Sequence, residues 1–260
     1  MNYLESYYNE YNEDGRLTSQ HGQVEYITTQ KYIHECIGNA GARKILEIGA
    51  GTGRYSIALS REGHDVTALE LVDHNIDVMK SKLTENDTLK IVKGNALDLS
   101  SFADEEFDIT LLLGPMYHLY SVKVKEKALS EAVRVTKKGG HILVAYCMND
   151  PTVVQFVFGK GHLADVIEKQ MLTSDWHTVS QPVDLFEMIR TEEIDELNKT
   201  ASVERVKLVA ADGATNYMRE TVDAMDRETF FKWVEYHLST CERQDLIGAS
   251  HHTLDILRKV

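Results

Sequence analysis

The sequence predicts an α/β fold built on a parallel sheet with helices on both faces. Three observations carry this expectation. Strand-like and helix-like patterns alternate at short spacing from Lys44 to Cys147, a glycine-rich turn follows the first of those strands in "ILEIGAGTGRYS", and the chain ends on two further strand-like segments. Strands are expected at Lys44 to Ile48, Asp65 to Leu69, Leu89 to Val92, Phe107 to Leu113 and His141 to Tyr146. Helices fill the gaps. Arg54 to Glu62 stops at Gly63, a residue suited to a C-cap, and Asp73 to Leu83 carries Ile76, Met79 and Leu83 on one stripe. Val122 to Thr136 buries Leu129, Ala132 and Val133 and is expected to close on "KKGG", two cations at the negative helix end followed by glycine. "VERVKLVAADG" from Val203 and "HHTLDILRKV" from His251 flank a helix around Arg227 to Thr240. Right-handed crossovers should join the parallel strands.

Two regions depart from this rhythm. Tyr3, Tyr7, Tyr8 and Tyr11 recur at helical spacing and share one face of a short helix, followed by a loop at Asp14 and Gly15 and a helix from Gln23 to Ile37. Residues 150–190 are helix-like, with Phe156, Phe158, Trp176 and Phe186 dispersed through them, and read as a lid insertion. The expected organisation is therefore a helical cap over residues 1–40, an α/β core over 41–149, the lid over 150–190, and the rest of the core over 191–260.

At 260 residues with 43% hydrophobic content, the chain can bury a substantial core. Its formal charge of −13 repels phosphate backbones, so no nucleic-acid partner is expected. Lys123, Lys125 and Lys127 alternate with apolar residues and read as the solvated side of a helix. The amino terminus has neither a basic leader nor an apolar stretch, and the longest uncharged run, Ile109 to Val122, is too short for a bilayer, so no membrane partner is expected. Cys36, Cys147 and Cys241 are odd in number and far apart, which suits a reduced, cytoplasmic protein. No HExxH or CxxC spacing occurs. His251 and His252 are neighbours in a strand-like segment and are expected on opposite faces, so no metal site is anticipated.

A turn from the first strand into the first helix is where an open α/β sheet binds its ligand. Gly49, Gly51 and Gly53 let the backbone turn sharply and approach a bound molecule closely. A dinucleotide fingerprint reads GxGxxG, but here the sixth position is Arg54 and the pattern is GxGxG. With Glu47 ending the first strand and Glu70 ending the second, the sequence resembles a class I S-adenosylmethionine-dependent methyltransferase. The resemblance implies a Rossmann-like, doubly wound seven-stranded sheet of order 3-2-1-4-5-7-6 with strand 7 antiparallel. It implies S-adenosyl-L-methionine as cofactor, S-adenosyl-L-homocysteine as product, and cofactor contacts from Glu47, Gly49, Ala50, Gly51, Thr52, Gly53, Glu70, Leu71 and Leu113. Glu70 stands where a carboxylate binds both ribose hydroxyls. "GNA" replaces the family's frequent "GDA", so Asn95 stands near the adenine amino group with Ala96 beside the ring.

In that family the loop after the fourth strand faces the transferred methyl. Here it reads "LLLGPMYHLY", similar to the "GPLYHL" segment of a subset of small-molecule methyltransferases and unlike the Asn/Asp-Pro-Pro-aromatic tetrapeptide of nitrogen methyltransferases acting on DNA bases or protein glutamine. Tyr117 and His118 are the catalytic candidates. His118 reads as a general base or an acceptor-orienting donor, or else as a cap of the next helix or a residue packed beneath the lid. Tyr7, Tyr8 and Tyr11 read either as an aromatic wall over the sulfonium or as a staple of the short helix onto the core. Tyr11 is counted among the cofactor contacts. Arg16 is expected to pair with the cofactor's carboxylate unless it is a surface residue, and His21 lies near the cleft. The expected acceptor is a small molecule beneath the aromatic lid, which reads equally as a dimer surface, leaving the chain a monomer or homodimer. Two rival functions remain. An NAD(P)-dependent oxidoreductase shares the parallel sheet and the acidic ribose ligand, and a non-catalytic S-adenosylmethionine-binding module keeps only the glycine loop.

Overall fold

The computed structural model describes residues 3–11, 13–39 and 41–260. Two helices precede the sheet, α1 (Tyr3–Glu10) and α2 (Gln20–Ile37). The alternating core follows: β1 (Lys44–Ile48), α3 (Arg54–Arg61), β2 (Asp65–Glu70), α4 (Asp73–Ser81), β3 (Lys90–Lys93), β4 (Phe107–Leu112), α5 (Val122–Val135) and β5 (Thr136–Cys147). Short helices α6 (Asn149–Thr152) and α7 (Leu163–Glu168), joined by a wide turn at Val153–Gly159, occupy the inserted segment. The chain then returns through α8 (Thr191–Lys199), β6 (Val203–Ala210), α9 (Arg219–Asp223), α10 (Arg227–Thr240), α11 (Gln244–Ile247) and β7 (His252–Lys259).

The seven strands form one sheet of order β3-β2-β1-β4-β5-β7-β6, parallel except for β7, which runs antiparallel to both neighbours. Both faces are covered. Leu46 and Ile48 of β1 belong to one apolar core with Leu129, Ala132 and Tyr146, while Ile45 belongs to the other with Tyr32, Leu59 and Met79. A central parallel strand buried on both sides has no solvent face, so it reads as a continuous apolar run. The strand order reverses at β1, and the crevice at the carboxyl ends of β1 and β4 is where such a sheet takes its ligand.

Some boundaries differ from the sequence reading. "KKGG" does not cap α5; Thr136 is already extended and opens a twelve-residue strand. The reason is β4: Lys137 pairs with Asp108 at 2.8 Å, and a Cβ on Gly140 would stand 2.6 Å from the Asp108 carbonyl. The glycine thus permits close strand pairing across an irregularity in register instead of ending a helix. The amino-terminal helix α2 starts three residues earlier than expected, because Ser19 caps it by accepting from the Gly22 N–H. No helix among the described residues is long and apolar enough to cross a membrane.

Candidate functional site

The glycine loop is fixed from below. The Leu69 carbonyl at the end of β2 accepts from the N–H groups of both Gly49 and Ala50, at 2.8 and 3.1 Å. Gly49 and Gly53 have φ of +73° and +81°, where a side chain is strained. A Cβ on Gly49 would also meet Pro115 at 2.7 Å, so the loop after β4 seats directly against the glycine turn. Gly53 is not among the residues that line the cavity; its bare Cα lies against Met79 of α4, where a Cβ would come within 2.5 Å of the side chain. Its absent side chain lets α3 pack there.

A cavity of about 270 Å³ opens above this loop, lined by Glu47, Gly49, Ala50, Gly51, Thr52, Glu70, Leu71, Asn95, Ala96 and Leu113 among others. Glu70 is buried and tied down: one oxygen accepts from Gly51 N–H at 2.7 Å, the other from Val72 N–H at 2.9 Å and from the Asn75 amide at 3.4 Å. Burial raises its pKa, opposed by those donors. Glu47 bonds the Ser56 hydroxyl, and burial pushes its carboxyl up to about 8. Asn95 is exposed on the cavity rim, and its amide oxygen already accepts from the Leu97 N–H at 3.0 Å. That bond fixes a turn and leaves one lone pair of the oxygen for a ligand.

A second chamber of about 700 Å³ adjoins the first. Tyr8, Glu13, Arg16, Glu25, Tyr117 and His252 line both. Tyr11, expected at the cofactor, lines only the second chamber, where it stacks on Tyr7 at 4.9 Å between centroids; the turn after α1 carries it away from the glycine loop. Of the lid aromatics, Phe186 alone reaches this wall, edge-on to Tyr7 at 5.9 Å. Phe156, Phe158 and Trp176 are 43%, 52% and 47% exposed and face outward, so the expected aromatic ceiling is not built from them. Their short helices instead close on Val153, Val157 and Val166.

Arg16 is neither on the surface nor uncommitted. Its Nε donates to Glu13 at 3.0 Å and its Nη1 to Glu25 at 2.8 Å. An incoming carboxylate must compete with two resident ones. His118 lies beneath the lid: its Nδ1 donates to the Leu185 carbonyl at 2.7 Å, which leaves Nε2 to accept from the Tyr8 hydroxyl at 3.0 Å. Leu185 has φ of +69°, a strained conformation that aims this carbonyl at His118 and at the Tyr120 hydroxyl. Burial pushes the His118 pKa down to about 4. Tyr117 is turned inward and donates to the Leu113 carbonyl at 3.1 Å. His21 lines the second chamber and pairs with Asp223 at 2.7 Å.

Sequence reasoning missed Glu25 and Asp212 and set the histidine pair aside. His251 precedes β7 and only His252 belongs to it, so strand alternation does not separate them; their Nδ1 atoms lie 3.3 Å apart. The expectation that they face apart is thereby corrected. Burial disfavours charge on His252, but the carboxylates of Glu25 and Asp212 outweigh it and hold its pKa well above the ordinary histidine value.

Residues 46–144 match the family described as a methyltransferase domain. That segment carries a methyltransferase core. The methyltransferase core is 32% identical over 117 residues to a demethylmenaquinone methyltransferase of Renibacterium salmoninarum, covering 45% of this chain and 46% of that protein. It is 24% identical over 156 residues to a ubiquinone biosynthesis O-methyltransferase of Alkalilimnicola ehrlichii, covering 59% and 61%. The chain thus spans about half the length of the curated relatives it matches. In fold it is similar to a Thermotoga maritima structure described as an S-adenosylmethionine-dependent methyltransferase and possible histamine N-methyltransferase, with 20% identity, 99% of each chain covered and a TM-score of 0.57. The first cavity suits S-adenosylmethionine: Glu70 is an acceptor-only group beside a loop whose glycines leave the backbone bare. Glu70 would take a ribose hydroxyl, the Gly49 to Thr52 backbone the methionyl end, and Ala96 with Leu97 the base.

Proposed function

We propose that the chain methylates a small molecule held in the second chamber. The observation that carries this reading is the pair of adjoining chambers with a common wall of Tyr8, Glu13, Arg16, Glu25, Tyr117 and His252. A non-catalytic binding module needs only the first. The second has the size of a small-molecule site and two distinct ends. Stacked Tyr7 and Tyr11 with Phe186 form an aromatic end; Asp212, Asn216, Arg219, His251 and His252 form a polar one. A flat aromatic acceptor bearing a hydroxyl fits both, and the relatives named for demethylmenaquinone methylation and for O-methylation in ubiquinone biosynthesis support a ring-containing acceptor.

When bound, S-adenosylmethionine supplies a methyl already activated on a sulfonium, so an acceptor lone pair can form the new bond as the carbon–sulfur bond breaks and the acceptor sheds its proton. What remains for the protein is alignment and exclusion of water. His118 serves as a positioning residue in this reading. Both its nitrogens are occupied, and its depressed pKa makes it a poor proton acceptor near neutrality, but it holds the Tyr8 hydroxyl on the shared wall. The test is turnover of S-adenosylmethionine to S-adenosylhomocysteine across a panel of hydroquinones, phenols, thiols and amines. Activity on hydroxylated rings supports the reading; activity confined to aliphatic amines or thiols would refute the acceptor class, and tight S-adenosylhomocysteine binding with no turnover on any of them would favour the binding module.

A further inference from the structure

The polar side of the second chamber crowds several acceptor atoms around one imidazole nitrogen. His252 Nδ1 lies 2.9 Å from Asp212 Oδ2, 3.3 Å from His251 Nδ1 and 3.4 Å from Glu25 Oε2. A ring nitrogen carries one proton. If His252 Nδ1 donates it to Asp212, His251 Nδ1 at 3.3 Å can only share the same hydrogen, beside a Glu25 carboxylate whose oxygens already accept from Arg16. If His251 Nδ1 is the donor, His252 Nδ1 and Asp212 Oδ2 meet lone pair to lone pair. Protonating both rings sets two N–H groups against each other. One cation in their midst would serve all three donor atoms at once.

We propose that Asp212, His251 and His252 bind a first-row divalent transition-metal cation, with Glu25 flanking it. The geometry is that of a metal's ligands. Bonds of about 2.0–2.2 Å to imidazole and carboxylate place neighbouring donor atoms about 3–3.5 Å apart, by tetrahedral or octahedral trigonometry. The observed nitrogen–nitrogen and nitrogen–oxygen separations are 3.3 and 2.9 Å, and all three donors lie within 4.8 Å of one another. Two imidazoles with a carboxylate select zinc, iron, manganese or cobalt over magnesium or calcium.

The surroundings hold the donors in place as an outer layer does around a metal. Asp212 is buried, and its Oδ1 accepts from the Ser250 hydroxyl at 2.7 Å and the His252 backbone N–H at 3.0 Å, leaving Oδ2 aimed at the rings. Ser250 is itself fixed by the Gly213 N–H at 2.8 Å. The backbone supplies the convergence: Asp212 follows β6, His251 precedes and His252 opens β7, and these strands pair antiparallel, with Ala210 opposite Thr253. Resting on the proposed acceptor chamber, a role follows for the cation. It would bind the acceptor hydroxyl and lower its pKa, so that the proton leaves to solvent and an oxyanion faces the methyl.

The test uses the full chain stripped with a chelator and titrated with Co2+ and Zn2+. Calorimetry reads stoichiometry, and the Co2+ absorption bands read nitrogen and oxygen coordination. One equivalent bound at micromolar concentration is expected, with at least a hundredfold loss in His251→Ala, whose ring has no part in anchoring Asp212. Asp212→Asn is a second variant, and thermal unfolding checks that each is folded. Binding weaker than millimolar in the parent, or unchanged affinity in folded His251→Ala, would overturn the site. A parallel titration with S-adenosylhomocysteine separates the two readings: loss of metal binding with cofactor binding intact refutes only the metal, and the converse refutes only the cofactor cavity.

Discussion

Replacing Glu70 by glutamine should uncouple cofactor affinity from the shape of the site. The carboxylate serves three internal donors, Gly51 and Val72 through their backbone N–H groups and Asn75 through its amide. Its two oxygens carry about four lone pairs in all, so room for a ligand hydroxyl remains. Glutamine keeps the volume but offers a single acceptor oxygen and sets an NH2 group against one of the backbone donors. A lost hydrogen bond to a charged group is worth about 1.5–3 kcal/mol. At about 1.4 kcal/mol per decade, affinity for S-adenosylhomocysteine should fall roughly 10–150-fold. The donor left without an acceptor should destabilise the fold by about 1–3 kcal/mol, a few degrees of Tm in a chain of this size. Glu70→Ala should also weaken binding by more than tenfold, with a larger Tm loss because both backbone donors are orphaned. Calorimetric titration beside a thermal melt separates the two effects. Binding of Glu70→Gln within twofold of the parent, at unchanged Tm, would refute the assignment of this carboxylate to the cofactor.

Three further outcomes are expected. Gly53→Ala should cost about 1–3 kcal/mol through its φ of +81° and the clash with Met79, visible as a lowered Tm, and an unshifted melt would show that α4 yields freely. His118 has its folded pKa depressed to about 4 from about 6.5 unfolded, so its contribution is fully present above pH 6.5 and lost as pH falls towards 4, up to about 3 kcal/mol. His118→Phe should therefore show a smaller Tm drop between pH 7 and pH 5 than the parent, with turnover reduced and S-adenosylhomocysteine affinity kept; equal drops would mean that the ring is not buried neutral. Arg16→Ala leaves Glu13 and Glu25 without the guanidinium between them, and should destabilise by about 3–5 kcal/mol, part of it recovered by adding Glu25→Gln. Chemical denaturation of the single and double variants measures both, and a cost below 1 kcal/mol would mean that the carboxylates are solvated.

The fold was legible because its signals are local. Apolar runs at Lys44, Asp65 and Phe107, each followed by a helical stripe, impose parallel strands, and the positive-φ glycines mark the turn between them. "KKGG" misled because a cationic, glycine-ended helix and a glycine-eased strand pairing leave the same letters; only the partner, Asp108, decides between them. The wall of the first cavity was largely readable for the same reason, Glu47, Gly49, Gly51 and Glu70 being fixed by strand ends. The wall of the second chamber was not, since Tyr7, Glu25, Phe186, Asp212 and His252 come from five separate segments that only tertiary packing assembles. No period in the sequence links a glutamate in α2 to a histidine in β7.

The shared partition between the chambers has a consequence for how this protein can change. Tyr8, Glu13, Arg16, Glu25, Tyr117 and His252 face both cavities, so if the first takes the methyl donor and the second the acceptor, as proposed, a substitution there should alter both recognitions together, with epistatic effects. Phe186, Met188, Thr215, Asn216 and Arg219 border the acceptor chamber alone. Laboratory evolution towards a new acceptor should accumulate its first tolerated changes at those five positions, on a wall that can be rewritten without disturbing the loop that holds the methyl donor.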